Sequence, residues 1–204
     1  MPLVEIELDL SADPIPHDVV RLIADAQERI DALDEQRPAA VPAFVPSDFE
    51  LVYRAIAAIE SARLAAGRRF VEWGSGIGVV ACLAEGLGFD AVGIEIETGL
   101  VEIAETFADE HGLAAQFASG SFVPPGAEPQ LDRLGGVTWL SSSGTNGYEE
   151  LELEPDDFDV VFAYPWPGEE QVIFDLFADA AAVGALLLTY HGQEGVRLQR
   201  KVTR

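Results

Sequence analysis

A single cysteine, Cys82, leaves no partner for an internal disulfide and no multi-cysteine set for a structural zinc. It falls in a predicted buried helix and reads as an inert core thiol. Basic residues are scarce as well: 12 Lys and Arg stand against 36 Asp and Glu, a formal net charge of -24. A field of that sign repels phosphate backbones and anionic membrane surfaces, so neither nucleic acid nor membrane is an expected partner. The one basic cluster, the C-terminal "VRLQRKVTR", reads as a paired or solvated end strand. The acidity itself fits a solubilising surface, life at high salt, or a cationic partner. Histidines number three, His17, His111 and His191, without metal-ligand spacing, and no metal centre is expected. No run approaches the ~20 apolar residues of a membrane span. The start "MPLVEIELDL" has neither the basic region nor the apolar stretch of a signal peptide, so the expected location is cytoplasmic.

What the chain does have is apolar content, 49% of 204 residues, enough for one domain with a sizeable core. Residues 3 to 10 alternate apolar and acidic side chains, the pattern of an edge strand or an arm laid on a partner surface. Val19, Ile23, Ala26, Ile30 and Leu33 form the stripe of an amphipathic helix over 15 to 36. Prolines at 38, 42 and 46 keep the next segment extended, and "SDFE" at 47 to 50 makes a capping box for a helix running to about Ala66. Residues 1 to 46 therefore read as an N-terminal extension to a domain over 47 to 204. Within that domain strand and helix alternate: strand 69 to 73, helix 77 to 87, strand 90 to 95, helix 98 to 111, strand 114 to 118. After an insertion at about 124 to 155, where "TNG" predicts a hairpin turn, come strand 158 to 164, helix 169 to 182 and strand 184 to 190. A last strand near 195 to 202 should pair back as a hairpin. This rhythm predicts an α/β fold, a doubly wound, mostly parallel sheet with helices on both faces.

The turn "VEWGSGIGVVA" joins the first of these strands to its helix, where bare backbone lets amide hydrogens approach a nucleotide. A P-loop requires Lys-Ser/Thr after its last glycine, and neither is present. Gly76-Ile77-Gly78-Val79-Val80-Ala81 satisfies the dinucleotide pattern G-x-G-x-x-G/A, so an NAD-dependent oxidoreductase is one reading. Glu72 lies at the mouth of the turn, where a carboxylate opposes a pyrophosphate and suits a positively charged group. S-adenosylmethionine offers an ammonium and a sulfonium and has no phosphate. The string Glu72, Trp73, Gly74-Ser75-Gly76-Ile77-Gly78 resembles the first motif of the class I S-adenosylmethionine-dependent methyltransferases, an acidic residue, any residue, then G-x-G-x-G.

That resemblance, over roughly residues 44 to 190, implies a class I methyltransferase-like fold, S-adenosylmethionine as cofactor, and methyl transfer to an acceptor. It implies that Glu72, Gly74, Ser75, Gly76 and Gly78 hold the amino-acid end. Glu95, closing the second strand, would bond both ribose hydroxyls, with Glu97 the rival by position. Ser121 stands where the family commonly has Asp for the adenine amino group, and Phe122 would pack on the adenine. "FVPSD" at 44 to 48 is similar to the lead-in of some methyltransferases of this class that modify protein lysines. Ala163-Tyr164-Pro165-Trp166 matches the family's Asn/Asp/Ser-Pro-Pro-aromatic string in its proline and aromatic, with Ala at the polar position. Tyr164 and Trp166 are thus candidates for an aromatic wall around a cationic or amine acceptor, or for a rigid loop. His191, at a strand end, is a candidate proton acceptor. Glu169 and Glu170 suit a helix start and read foremost as capping residues, with binding of a basic substrate as the alternative. The acceptor implied is a protein or small-molecule amine. A binding module that keeps the pocket without turnover also fits, because Ala163 and Ser121 replace polar family residues.

Overall fold

The computed structural model describes residues 1–36, 45–127, 129, 131, 140–141 and 144–203. Its elements in chain order are β1 (Leu3–Ile6), α1 (His17–Gln36), α2 (Phe49–Ser61), β2 (Arg69–Trp73), α3 (Val79–Gly86), β3 (Asp90–Glu95), α4 (Thr98–His111) and β4 (Gln116–Ser119). There follow α5 (Gly147–Glu150), β5 (Val160–Ala163), α6 (Glu170–Ala180), β6 (Leu186–Tyr190) and β7 (Val196–Lys201). The strands form one seven-stranded sheet in the order β1-β7-β6-β5-β2-β3-β4. β6, β5, β2, β3 and β4 run parallel, as predicted from the alternation with helices. β7 returns antiparallel to β6, and β1 pairs antiparallel with β7. The N-terminal acidic strand thus joins the sheet and covers the edge of β7, so among the described residues the sheet has seven strands, one more than the six predicted within 47 to 204.

Side chains alternate across the central strands with period two and fill two cores. Phe70, Phe162, Leu186 and Leu188 pack under α1, α2, α3 and α4. Val71, Trp73, Val161 and Leu187 pack under α6 and the segment around Tyr148 and Phe158. Helix α1 buries Leu22, Ala26 and Ile30, successive turns of one stripe. It is also tied to α4 by polar contacts: Arg29 pairs with Asp25 and Glu110, and His111 Nε2 lies 3.0 Å from Asp25 Oδ2.

Local chemistry moved several boundaries. The cap of α2 is Asp48 rather than Ser47, its carboxylate accepting the Leu51 N–H at 3.0 Å. That helix ends at Ser61 rather than Ala66 because Arg63 takes a left-handed φ of 51°, and the Leu64 N–H bonds Ile59 O. The predicted hairpin at Thr145-Asn146-Gly147 is a helix start. Asn146 Oδ1 accepts the Tyr148 N–H, capping α5, and Asn146 bridges Ser121 in parallel. Most of the earlier arm of that hairpin, over 137 to 143, and the proline-spaced segment up to residue 44 lie outside the described residues.

β2 is the switch point: the chain steps from it to β3 and β4 on one side and resumes with β5 on the other. Open parallel sheets bind ligands in the crevice outside such a point. Gly93 on β3 makes that crevice possible, because a Cβ there would lie 2.7 Å from Ser75 Oγ and 2.7 Å from the Phe117 ring. Gly93→Ala is expected to cost about 1–3 kcal/mol by overpacking. Chemical denaturation measures it, and an unchanged midpoint would contradict this packing.

Candidate functional site

The turn after β2 is held from below by β3. The Gly74 and Ser75 amides both donate to Ile94 O, at 2.9 and 3.1 Å, and the Gly78 amide donates to Ser75 O at 2.7 Å. Gly74, Gly76 and Gly78 take φ values of 70°, 55° and 77°, a region that strains any side chain. A Cβ on Gly78 would in addition collide with the Phe117 ring.

Two carboxylates brace this turn. Glu72 Oε2 accepts the Ala81 N–H at 2.9 Å, at the start of α3, where a negative charge suits the helix dipole. Glu95 Oε2 accepts the Gly76 N–H and its Oε1 the Glu97 N–H, each at 2.9 Å. Both residues are buried, at 6% and 8% exposure. Burial raises the Glu72 carboxyl well above its ordinary range, against the pull of the Ala81 amide, and the Glu95 charge adds to the rise. Burial also raises Glu95, opposed by the amides of Glu97, Gly76 and Ile96. Glu97, the positional rival, is exposed and begins α4.

Over the turn lies a cavity of about 440 Å³. It brings together Glu72, Gly74, Ser75, Gly76, Glu95, Ser121, Phe122, Tyr164 and Trp166. Ser121 Oγ donates to Ser141 O at 2.6 Å and accepts the Val123 N–H, so a ligand meets only an acceptor lone pair there. Phe122 stacks on Trp73, ring centroids 5.2 Å apart and planes 9° apart, and Tyr148 Oη anchors its carbonyl at 3.0 Å. Tyr164 meets Tyr190 edge-on at 4.8 Å, and burial raises its phenol.

Gly78 and His191 are not in the lining. Gly78 serves the turn from outside it. His191 bonds Thr189 Oγ1 through Nε2 at 2.7 Å, and burial, then Arg197, lowers its imidazole. Sequence reading missed Trp73, the free position of the glycine motif, and Ile96, an exposed apolar side chain beside Glu95. Glu169, which sequence reading ranked first as a capping residue and second as a binder of a basic substrate, also lines the cavity. An unpaired apolar residue at a strand end, next to the predicted ribose carboxylate, is the signal that would have found Ile96.

No protein-family model matches the chain, and no curated protein matches it. Solved structures do. An RNA methyltransferase from Salinibacter ruber in complex with S-adenosyl-L-homocysteine superposes with a TM-score of 0.54 at 20% identity, over 78% of this chain and 95% of that one. The O-methyltransferase from Bacillus cereus in complex with S-adenosyl-L-homocysteine gives 0.53 at 15% identity, over 87% and 67%. A cofactor-bound protein from MTB gives 0.51 at 17% identity, over 94% and 100%. The fold is that of the class I methyltransferases. In this class I methyltransferase fold the cavity sits at the switch point, outside the carboxyl ends of β2, β3 and β5.

The buried Glu72 has a consequence for stability. Its folded-state pKa is raised, so its contribution is present below the ordinary carboxylate range and is lost as pH rises through the folded value. Glu72→Gln, which keeps an acceptor for the Ala81 amide, should therefore melt higher than wild type at pH 8, the gap closing toward pH 4.5. Parallel melting curves at the two pH values would refute the assignment.

Proposed function

We propose that the cavity binds S-adenosylmethionine and that the protein transfers its methyl group to an amine, of a protein side chain or a small molecule. The observation that carries this reading is the charge of the lining. Glu72, Glu95, Glu97 and Glu169 are there, and among the described lining residues there is no Lys, Arg or His. A pyrophosphate would face carboxylates without a counter-charge, which disfavours NAD. A ligand with an ammonium, a sulfonium and no phosphate is complementary to the same walls.

In this reading Glu72 receives the ammonium, and the backbone of Gly74, Ser75 and Gly76 follows the amino-acid moiety, with Gly78 setting the turn. Glu95 takes the ribose hydroxyls with the lone pairs not given to amides. Ser121, its own proton committed, accepts from the adenine amino group, which is a donor. Phe122 and Ile96 supply the apolar faces for the purine ring. When bound, the sulfonium supplies an activated methyl group, and little acid–base chemistry is asked of the protein. Tyr164 and Trp166 wall the acceptor side, at the end of β5, and hold the nucleophile in line, the arrangement from which most of the acceleration derives. Val45, Pro46 and Ser47 of the "FVPSD" lead-in also line the cavity, which supports a role for these three residues at the cofactor.

Calorimetry tests the cofactor. S-adenosylmethionine should bind and NAD should not, and Glu72→Gln should weaken S-adenosylmethionine about 10- to 100-fold, the scale of a hydrogen bond to a charged group. Because the bound ammonium favours the ionised Glu72, binding expels a proton, and wild-type affinity should rise with pH above the ordinary carboxylate range, then level off beyond the raised value. Equal binding of NAD, or a flat pH profile, would sink the reading. A second outcome concerns His191: with its ring outside the lining, His191→Ala should leave methyl transfer to a cell extract within about twofold, whereas a catalytic proton acceptor contributes roughly 100-fold or more.

A further inference from the structure

Resting on that reading of the cofactor, we infer that Glu72 and Glu95 together make the site clear itself after transfer: they hold the cofactor that carries a positive charge on sulfur and release its neutral, demethylated form. The two residues lie toward the carboxyl ends of the adjacent parallel strands β2 and β3, both buried and both in the cavity lining. They are close enough for the Glu95 charge to raise the Glu72 carboxyl. Their partners are backbone amides, Ala81 for Glu72, and Gly76, Ile96 and Glu97 for Glu95. Among the described residues neither has a cationic partner. The titratable groups around them supply no positive charge. Cys82 of α3, beside Glu72, is raised by burial and stays a neutral thiol, and Glu97 at the start of α4 adds a negative charge beside Glu95. Tyr164 and Glu169 complete the titratable part of the described lining.

In S-adenosylmethionine the sulfur joins the amino-acid chain to the ribose. A ligand whose ammonium meets Glu72 and whose ribose hydroxyls meet Glu95 therefore carries its sulfur between the groups that the two carboxylates hold. As the acceptor nitrogen forms its bond to the methyl carbon, the S–C bond breaks and its electron pair stays on sulfur. The remaining thioether is neutral, and the positive charge leaves with the acceptor. Ammonium, carboxylate, ribose and adenine are the same before and after, so a unit charge and a methyl group are all that distinguish the two forms. Water would screen that charge; buried carboxylates in a less polar medium weigh it far more heavily. The spent cofactor thus does not hold the site against a fresh one. A proton balance follows from the same charge. A cation beside Glu72 and Glu95 favours their ionised forms, so the charged cofactor expels more protons on binding than the neutral one. Its advantage grows as pH rises from the ordinary carboxylate range toward the raised values of the two carboxyls, and then levels off.

The test is calorimetry on the full chain with S-adenosylmethionine, S-adenosylhomocysteine and sinefungin, in which a carbon bearing an ammonium replaces the methylsulfonium. At pH 7 S-adenosylmethionine and sinefungin should each bind about tenfold or more tighter than S-adenosylhomocysteine, the scale of a unit charge near ionised carboxylates in such a medium. The gap should narrow toward pH 5. Titrations in buffers of different ionisation enthalpy count the protons expelled, and the two charged ligands should expel more than S-adenosylhomocysteine. Glu72→Gln should weaken all three ligands and narrow the gap between them. S-adenosylhomocysteine binding as tightly as S-adenosylmethionine, sinefungin following the neutral ligand, or a gap that is the same at both pH values or unmoved in Glu72→Gln would each overturn the inference. Failure of all three ligands to bind wild type would instead overturn the cofactor reading.

Discussion

Glu72 and Glu95 leave water at the carboxyl ends of adjacent parallel strands, and amide hydrogens from the glycine turn and its helix meet them there. Each accepted bond does two things. It offsets part of the desolvation of a buried charge, and it fixes the path of the turn relative to the sheet. Because Glu95 holds Gly76 while Glu72 holds the start of α3, the loop between β2 and α3 is set by β3 as much as by its own residues. The offset is incomplete, and both carboxyls remain raised. A positive charge placed beside them would lower both.

The glycines follow from the same constraint. Three positive φ values in five residues bring the backbone back over Ile94 O. Gly93 and Gly78 supply clearance at the two places where β3 and the Phe117 ring press closest. Farther along, Gly120 and Gly147 allow the later part of the insertion to lie against the ends of β3 and β4, where a Cβ on Gly120 would sit 2.5 Å from Thr145 O and one on Gly147 would meet Ile94. That contact brings Tyr148 against Phe122, whose carbonyl it holds, and Phe122 lines the cavity. That part of the cavity wall is therefore held by a residue 26 positions away in sequence.

Charge runs through the molecule at two scales. The overall excess of acids, 36 against 12, acts through water and is screened within about 10 Å at ordinary ionic strength. The carboxylates in the cavity act through a less polar medium and at short range, so they discriminate between ligands far more sharply than the surface does. The two agree in sign, which favours cationic ligands in approach as well as in fit.

The alternation of five parallel strands with helices was legible in the chain, because periods of two and 3.6 are written locally and survive without knowledge of the neighbours. The glycine turn and its flanking Glu72 and Glu95 were legible for the same reason: spacing along one strand, turn and helix is a local property. The place of β1 was not, since an amphipathic acidic strand carries no mark of which edge it will cover. The Asn146 turn was misread because Asn-Gly serves a hairpin and a helix cap equally, and docking against Ser121 chose the cap. Likewise nothing local separates Glu169 from Glu170, or tells that His191 turns to Thr189 while Tyr164 lines the cavity. Those directions depend on how α6 and β6 pack across the sheet, and only the assembled tertiary structure settles which side chain faces the cavity.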